Sequence, residues 1–419
     1  MSPELIEKLK QIKLHAMFMQ GKAGGKRLVA PGLKMVGINL EGVSLRNAVL
    51  TQAELTGVRL RTVDLSLSDL FRADMSDSDF TCSNFRKCDL RGANLERSLI
   101  GGANFEGADL RPGQMMESGE GGQNQLIKAN LNHTSAEKAN FKDADLASAD
   151  FCGSTLGGAV LAGANMFAVN LSGCDLRGTD FSKARLKDAI LNNADVRGAV
   201  FKNADLRDAR CLNVDLSAAE LGGARTDGAS FQSGAEALPD WVRDAVASHG
   251  RWVVSDGKRG ERADFSHKDL TGCDLSCSDL RGAVFKGATL VGCKLTEAAL
   301  ILTDFQRANL SGAVLTDAVL DGANLKQANL TDVILRKSKL EPVPLRDANG
   351  RDTGRTWPVQ WRGANLTRTD CRGARLRGGV FADAVLELTD FRDADLRETD
   401  LTAATTKQAK TSGARKGLS

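Results

Sequence analysis

The sequence predicts an all-β solenoid of square cross-section, and three observations predict it. The first is a five-residue beat. Leu40, Leu45, Leu50, Leu55, Leu60, Leu65 and Leu70 fall on one phase of a pattern that fills most of the 419 residues, and so strict a period outranks any isolated motif. The second is the composition of each pentad. The central residue is nearly always Leu or Phe and the residue two before it is nearly always small: in GANLERSLIGGANFEGADL, Ala93 precedes Leu95, Ala103 precedes Phe105 and Ala108 precedes Leu110. Neither a helical nor a plain two-residue period fits this pattern. In an extended segment residues two apart share a side, so the small and the large residue face inward while the Asp or Asn between them faces out. The other two positions, rich in Gly, Arg, Lys and Ser, turn a corner. The third observation is that Phe265, Phe285 and Phe305 recur at every fourth pentad, as do Phe85 with Phe105 and Phe181 with Phe201. Stacked aromatic residues at that interval mean four pentads per coil. Roughly 62 pentads at the inter-strand spacing would rise about 75 Å, a rod with or without a joint.

Stretches such as RANLSGAVLTDAVLDGANLKQANL and FRDADLRETDL resemble the A(D/N)Lxx units of the pentapeptide repeat family over about three quarters of the chain. The resemblance implies a right-handed quadrilateral β-helix. It implies no common active site.

Taken in order, the chain opens with a helical stretch. Ser2 at the N-cap, Pro3 at the first helical position, and Leu5, Leu9 and Ile12 on one face describe a short amphipathic helix. The start reads Pro3, a helical pattern, His15, Phe18, Gly25, Arg27; the middle reads Pro239, a helical pattern, His249, Trp252, Gly260, Arg262. Each leads straight into pentads. An open coil end exposes backbone groups and apolar core, so these helices, with His15, Phe18, Arg27, His249, Trp252 and Arg262, are read as caps rather than partner-binding elements. Pentads then run to Leu110, where the beat is interrupted until Leu131; a matching interruption separates Leu345 from Leu366. The segments RPGQMMESGEGGQNQLIKANL and RDANGRDTGRTWPVQWRGANL align at one constant offset, sharing Arg111 with Arg346, Gly119 with Gly354 and Gln125 with Gln360. The helix starts align within one residue of that offset, which indicates a tandem duplication. The expected organisation is a first module over 1–235 with an interruption at 111–130, a second over 236–401 with an interruption at 346–363, and a basic, disordered tail over 402–419. Whether the two modules are coaxial, and the oligomeric state, stay open.

The interruptions are the candidate sites. Each is either an irregular coil or a projecting loop, and loops on a rigid scaffold are where recognition concentrates. Exposed Met115, Met116, Trp357 and Trp361 would suit a contact surface; the competing reading packs the tryptophans onto the rod, a Trp side chain being too large for so narrow an interior. The family's topoisomerase-acting members use projecting loops in recognition, and its gyrase-binding members carry a strongly acidic surface that mimics DNA. This chain has a formal net charge of +3, with excess base near both ends, so mimicry directed at a type II topoisomerase ranks behind a general protein partner. Nucleic-acid binding ranks third. A coil of four pentads would align Lys286, Gln306, Lys326 and Arg346 in one column, and Arg372 over Arg392 beside Arg377 over Arg397, but nearby acids dilute the field and Tyr is absent for base stacking.

Chemistry has little to work with. GKAGGKR at 21–27 lacks the Ser or Thr of a phosphate loop and no strand precedes it. His15, His133, His249 and His267 have no metal-ligand spacing. An odd number of cysteines argues against a disulfide framework. Cys88, Cys174, Cys273 and Cys293 occupy small inward positions and Cys211 and Cys371 central ones, as packing thiols. The spacing of Cys273 and Cys277 is not that of a zinc site. No cavity, cofactor, metal or catalytic residue is expected, and with no spanning apolar run and no leader the chain reads as cytoplasmic, without membrane association.

Overall fold

A computed structural model describes residues 3–39, 41–115, 125–230, 238–254, 257–258, 260–346 and 352–416. The chain divides into two compact units, Met1–Ser233 and Gly234–Ser419. Within each, every pentad builds one side and one corner of a square coil. The central carbonyl accepts from the amide three residues on, as Leu45 O does from Ala48 N at 3.1 Å, closing a four-residue turn. The third residue of that turn has positive φ, 59° at Asn47 and 56° at Gln52, as in type II turns. This explains the abundance of Gly, Asn and Asp at the position.

Each coil is stitched to the next by backbone bonds. Leu50 N donates to Asp69 O at 2.7 Å and Asp69 N to Ala48 O at 2.9 Å. The result is a single parallel bridge between a pentad and the fourth one after it, such as Val49 with Asp69 and Asp69 with Asp89, a pattern broken at the short 3-10 helix Leu216–Ala218. Central and small residues line the interior: Leu50, Ala53, Leu55 and Phe85 are completely buried. Each buried Leu or Phe contributes about 1.5–3 kcal/mol. The phenylalanines stack as their spacing predicts. Phe85 and Phe105 lie 4.6 Å apart, Phe105 and Phe141 4.7 Å, Phe285 and Phe305 5.0 Å. Where Ser, Thr or Cys replaces the small Ala, its side chain donates to a carbonyl of the coil below: Ser68 to Leu45 O (2.8 Å), Thr303 to Leu280 O (2.9 Å), Cys88 to Leu65 O (2.9 Å). A polar atom is thereby admitted to the core without an unmet hydrogen bond.

Both units begin with a helix, α1 over Pro3–Met19 and α2 over Asp240–Val254. Ser2, expected as an N-cap, lies outside the described residues. Ile12 of α1 and Val242 of α2 join the core clusters of their units. His15 Nδ1 accepts from Leu28 N at 3.0 Å and its Nε2 donates to Arg46 O at 3.0 Å, while His249 Nδ1 accepts from Ala263 N at 3.0 Å. Arg27 Nε donates to Asn47 O (2.6 Å) and Arg262 Nε to Gly282 O (2.5 Å). The rings of His15 and Phe18, and of His249 and Trp252, are stacked. Gly25 is obligatory: a Cβ there would stand 2.3 Å from Phe18 N.

The interruptions are two-stranded antiparallel hairpins inserted at a corner while the coil continues beneath them. In the first unit β1 (Gly113–Met115) pairs with β2 (Gln125–Ile127), and in the second β3 (Val343–Arg346) pairs with β4 (Asp352–Trp357). Asn94 bridges Asn130, and Asn324 bridges Gln360, so the ladder passes straight over each inserted hairpin to the coil that follows it. The second interruption therefore starts after Leu340 and ends at Trp361, not after Leu345 and before Leu366. Leu345 belongs to β3, because Pro342 and Pro344 interrupt the turn pattern there. Residues 402–416 are also not a disordered tail. Ala404, Ala409 and Ala414 keep the small inward position, Asp390 bridges Lys410, and β5 (Asp395–Leu396) pairs in parallel with β6 (Arg415–Lys416). Among the described residues no helix is long and apolar enough to cross a membrane.

Candidate functional site

The hairpins break the uniformity of the coil at its corners. Each folds back over the glycine one coil earlier. A Cβ on Gly92 would lie 3.1 Å from Gly113 N and from Ile127 O; one on Gly322 would lie 2.8 Å from the Leu302 side chain, 2.9 Å from Val343 and 3.3 Å from Trp357. The first hairpin also covers Phe71, over which the Arg91 guanidinium sits 5.4 Å from the ring centre. Leu126 in β2 is 62% exposed and Trp357 in β4 is 46% exposed.

Of the four expected contact residues, Trp357 is exposed beside the coil and Met115 ends β1. Met116 lies outside the described residues. Trp361 is not a contact residue. It is wholly buried at a central position, with Val359 at the small position before it, and it stacks on Phe381 at 4.8 Å. The interior accepts it because Gly379, in the place of the usual Ala, leaves room; a Cβ there would sit 3.3 Å from the indole Nε1. That Nε1 has no hydrogen-bond partner among the described residues.

The surface charge is organised by a motif whose meaning sequence reading missed. Wherever Asp precedes the central residue and Arg follows it, the carboxylate accepts both the Arg backbone N–H and its guanidinium across the corner. Arg91 Nη2 meets Asp89 at 2.6 Å, Arg207 meets Asp205 at 2.6 Å, and Arg281 meets Asp279 at 2.6 Å. The Arg207 hydrogen bond, opposed by burial, brings the Asp205 carboxyl down to about 2. The recurring tripeptide DLR was the available signal. These clamps dissolve the proposed basic columns: Arg372 is held by Asp370, Arg392 by Asp390, Arg397 by Asp395, and Arg377 by Glu398. Arg346 is not over Lys326 at all, because the hairpin takes it away and Arg362, paired with Asp383, occupies the next coil. The same clamps neutralise acids of the first unit, at Asp89, Asp109 and Asp205.

The remaining titratable groups behave as parts of the core. Burial pushes the Cys88, Cys211 and Cys293 thiols up to about 12, removing the thiolate that reactivity needs. Burial lowers both His15 and His249, against a backbone hydrogen bond at His15 and Asp279 near His249.

The family model of pentapeptide repeats (8 copies) matches residues 35–66, 63–97, 88–111, 125–163, 144–182, 164–203, 179–210, 263–300, 298–336 and 361–404. The chain belongs to the pentapeptide repeat family, whose members are right-handed quadrilateral β-helices. No curated protein matches it. Among solved structures, QnrB1, a plasmid-mediated fluoroquinolone resistance protein, is 20% identical, with 49% of this chain and 92% of that one covered and a TM-score of 0.36. Rfr23, a pentapeptide repeat protein from the cyanobacterium Cyanothece, is 26% identical over 36% of this chain and 91% of its own, with a TM-score of 0.20. HetL, a pentapeptide repeat protein involved in heterocyst differentiation regulation in Nostoc, is 19% identical over 95% and 94%, with a TM-score of 0.16.

Proposed function

We propose that the chain is a non-enzymatic, cytoplasmic binding scaffold that takes a protein partner through its projecting hairpins, and that its two modules are each closed at the start by a helix. The observation that carries this reading is the hairpin pair. A coil whose sides repeat offers the same shallow surface at every level, whereas the hairpins expose Leu126 and Trp357 on otherwise regular corners, and recognition favours such departures from a rigid scaffold. The Asp–Arg clamps weigh against a DNA-mimicking modulator of a topoisomerase and against nucleic-acid binding, since both need an uncompensated face of one sign.

The test is an affinity pull-down from a bacterial lysate with intact protein beside protein whose segments 111–128 and 343–357 are replaced by short Gly-Ser linkers. A partner lost only from the altered bait supports the reading. Equal recovery on both baits overturns it in favour of the coil faces, and recovery of a type II topoisomerase on both would revive mimicry. The modular part of the reading fails if fragments 1–235 and 236–419 do not each unfold cooperatively.

A further inference from the structure

In the second unit one corner carries both the end of α2 and the hairpin. Arg262 ties the start of the coil to Gly282, and the same corner column continues through Leu302 and Gly322 to Pro342, where the hairpin leaves. Beside the end of α2 lies a groove of about 520 Å³. Trp252 and Val253 form one wall, Arg281 and Gly282 the base, and Ile301 and Leu302 the far side. From Leu302 the apolar strip runs on to Val343 and Trp357, which meet it over Gly322. Leu302 and Trp357 are 48% and 46% exposed. Among its described residues the first unit has no such arrangement, because its helix end is tied at the corner of Asn47 while its hairpin covers the next corner, over Arg91 and Gly92.

We propose that this groove is a docking site for an extended, acidic peptide segment of a partner protein, whose apolar side chains enter between Trp252 and Leu302 and whose carboxylates meet the cations at the rim. The proposal rests on the protein-binding reading and names the surface and the class of partner. The groove's volume lies in the range that takes a ligand's apolar groups, and Trp anchors dominate such contacts. Charge selects the flanks. Arg251 and Lys258 are the chain neighbours of the lining residues Trp252 and Gly257, and Arg355 stands two residues before Trp357 on the same face of the strand; none of the three makes an ion pair among the described residues. Arg281, by contrast, is already held by Asp279. The acid of the same column, Asp321, is engaged as well, its carboxylate accepting Glu341 N at 2.8 Å.

The experiment pans a phage-displayed random dodecapeptide library on the full chain, then measures enriched peptides, labelled with fluorescein, by anisotropy against variants. Enriched sequences are expected to pair two apolar residues with flanking Asp or Glu. Leu302→Asp is expected to weaken them at least tenfold, Arg355→Glu about threefold or more, and Leu67→Asp, at the corresponding turn of the first unit, not at all. Leu302 and Leu67 are exposed turn residues with φ of 57° and 62°, a conformation Asp adopts readily, so an unchanged melting temperature separates lost binding from lost fold. Peptides that bind Leu302→Asp as well as the parent, basic consensus sequences, or no enrichment overturn the groove. A lysate partner that still depends on the hairpins would then leave the broader reading standing without it.

Discussion

The two units begin alike and differ by one pentad. Their helix ends align His15 with His249 and Arg27 with Arg262, and the Arg pair's offset carries Leu110, the last central residue before the first hairpin, onto Leu345. The last central residue before the second hairpin is instead Leu340, one pentad earlier, and the ladder resumes at Asn130 and at Gln360 with the same pentad missing. Since a pentad is a quarter turn, its absence carries the second hairpin round to the corner beside its own helix, and the core registers no defect. Whole-pentad insertions are therefore a way to place an appended element on any corner of this fold, and the meeting of the hairpin with Leu302, at the edge of the groove beside Trp252, is a consequence of that arithmetic.

The largest expected effect comes from violating it. Deleting Thr56–Leu60 from the first unit should rotate its hairpin one corner towards α1 and leave a cooperative fold, because every later residue keeps its inward or outward sense. Deleting Thr56–Arg59 should abolish cooperative folding of that unit, since a one-residue slip turns the inward set outward. Circular dichroism on heating distinguishes the two. If both deletions are tolerated, pentads are not independent quarter turns.

A smaller effect tests whether the hairpins loosen the core they interrupt. Phe105 stacks between Phe85 and Phe141 across the first hairpin, and Phe285 between Phe265 and Phe305 in unbroken coil. Phe105→Ala and Phe285→Ala should each cost about 3–5 kcal/mol in urea unfolding. All four tryptophans lie in the second unit, so their fluorescence follows Phe285→Ala and circular dichroism both. A cost for Phe105→Ala well below that for Phe285→Ala would show that the inserted hairpin opens the stack. Smaller again, Gly92→Ala should destabilise more than Gly322→Ala: the first meets hairpin backbone, the second only side-chain ends that can turn aside. About 1–3 kcal/mol against about 1 kcal/mol is expected, both including the strain of positive φ.

The coil, its four sides and the aromatic stacks were legible in sequence because each depends on one side chain repeated at one interval. Helices α1 and α2 lie where the paired starts were read, and His15 and His249 each accept a backbone N–H of the chain entering the coil. What escaped was the exceptional pentad. Trp361 breaks the Leu or Phe rule only because Gly379 gives way beside it, a compensation that lies in the next coil rather than the next pentad. The last described coil keeps Ala404, Ala409 and Ala414 but replaces its central leucines with Thr406 and Thr411, and neither threonine is buried. Reading the small residue as the more faithful marker would have recovered both the last coil and, through Val359, the true end of the second hairpin.

The smallest effect separates the two histidines. In each, Nδ1 accepts a backbone N–H, so the neutral ring carries its proton on Nε2. That Nε2 donates to Arg46 O in the first unit, whereas in the second it faces the Arg281 backbone and closes no hydrogen bond of normal geometry among the described residues. His15→Asn keeps an acceptor near the Nδ1 position and loses the second bond; His249→Asn has no second bond to lose. The first should cost about 1 kcal/mol more than the second, read from the loss of protection of the Leu28 and Ala263 amides in hydrogen exchange. Acid sharpens the same contrast. Burial lowers both rings below the ordinary 6.5, with Arg27 adding to the effect at His15 and Arg262 and Arg281 at His249, where Asp279 opposes it. The unfolded chain therefore takes up these protons first, and the stabilisation, complete above about pH 6.5, is lost as pH falls through the lowered native values. A proton on Nδ1 would set donor against donor at Leu28 and Ala263. The Asn variants, which cannot titrate there, should lose less amide protection than the parent between about pH 7.5 and 5.5, and an equal loss would show that the histidines do not hold the helices to the coil.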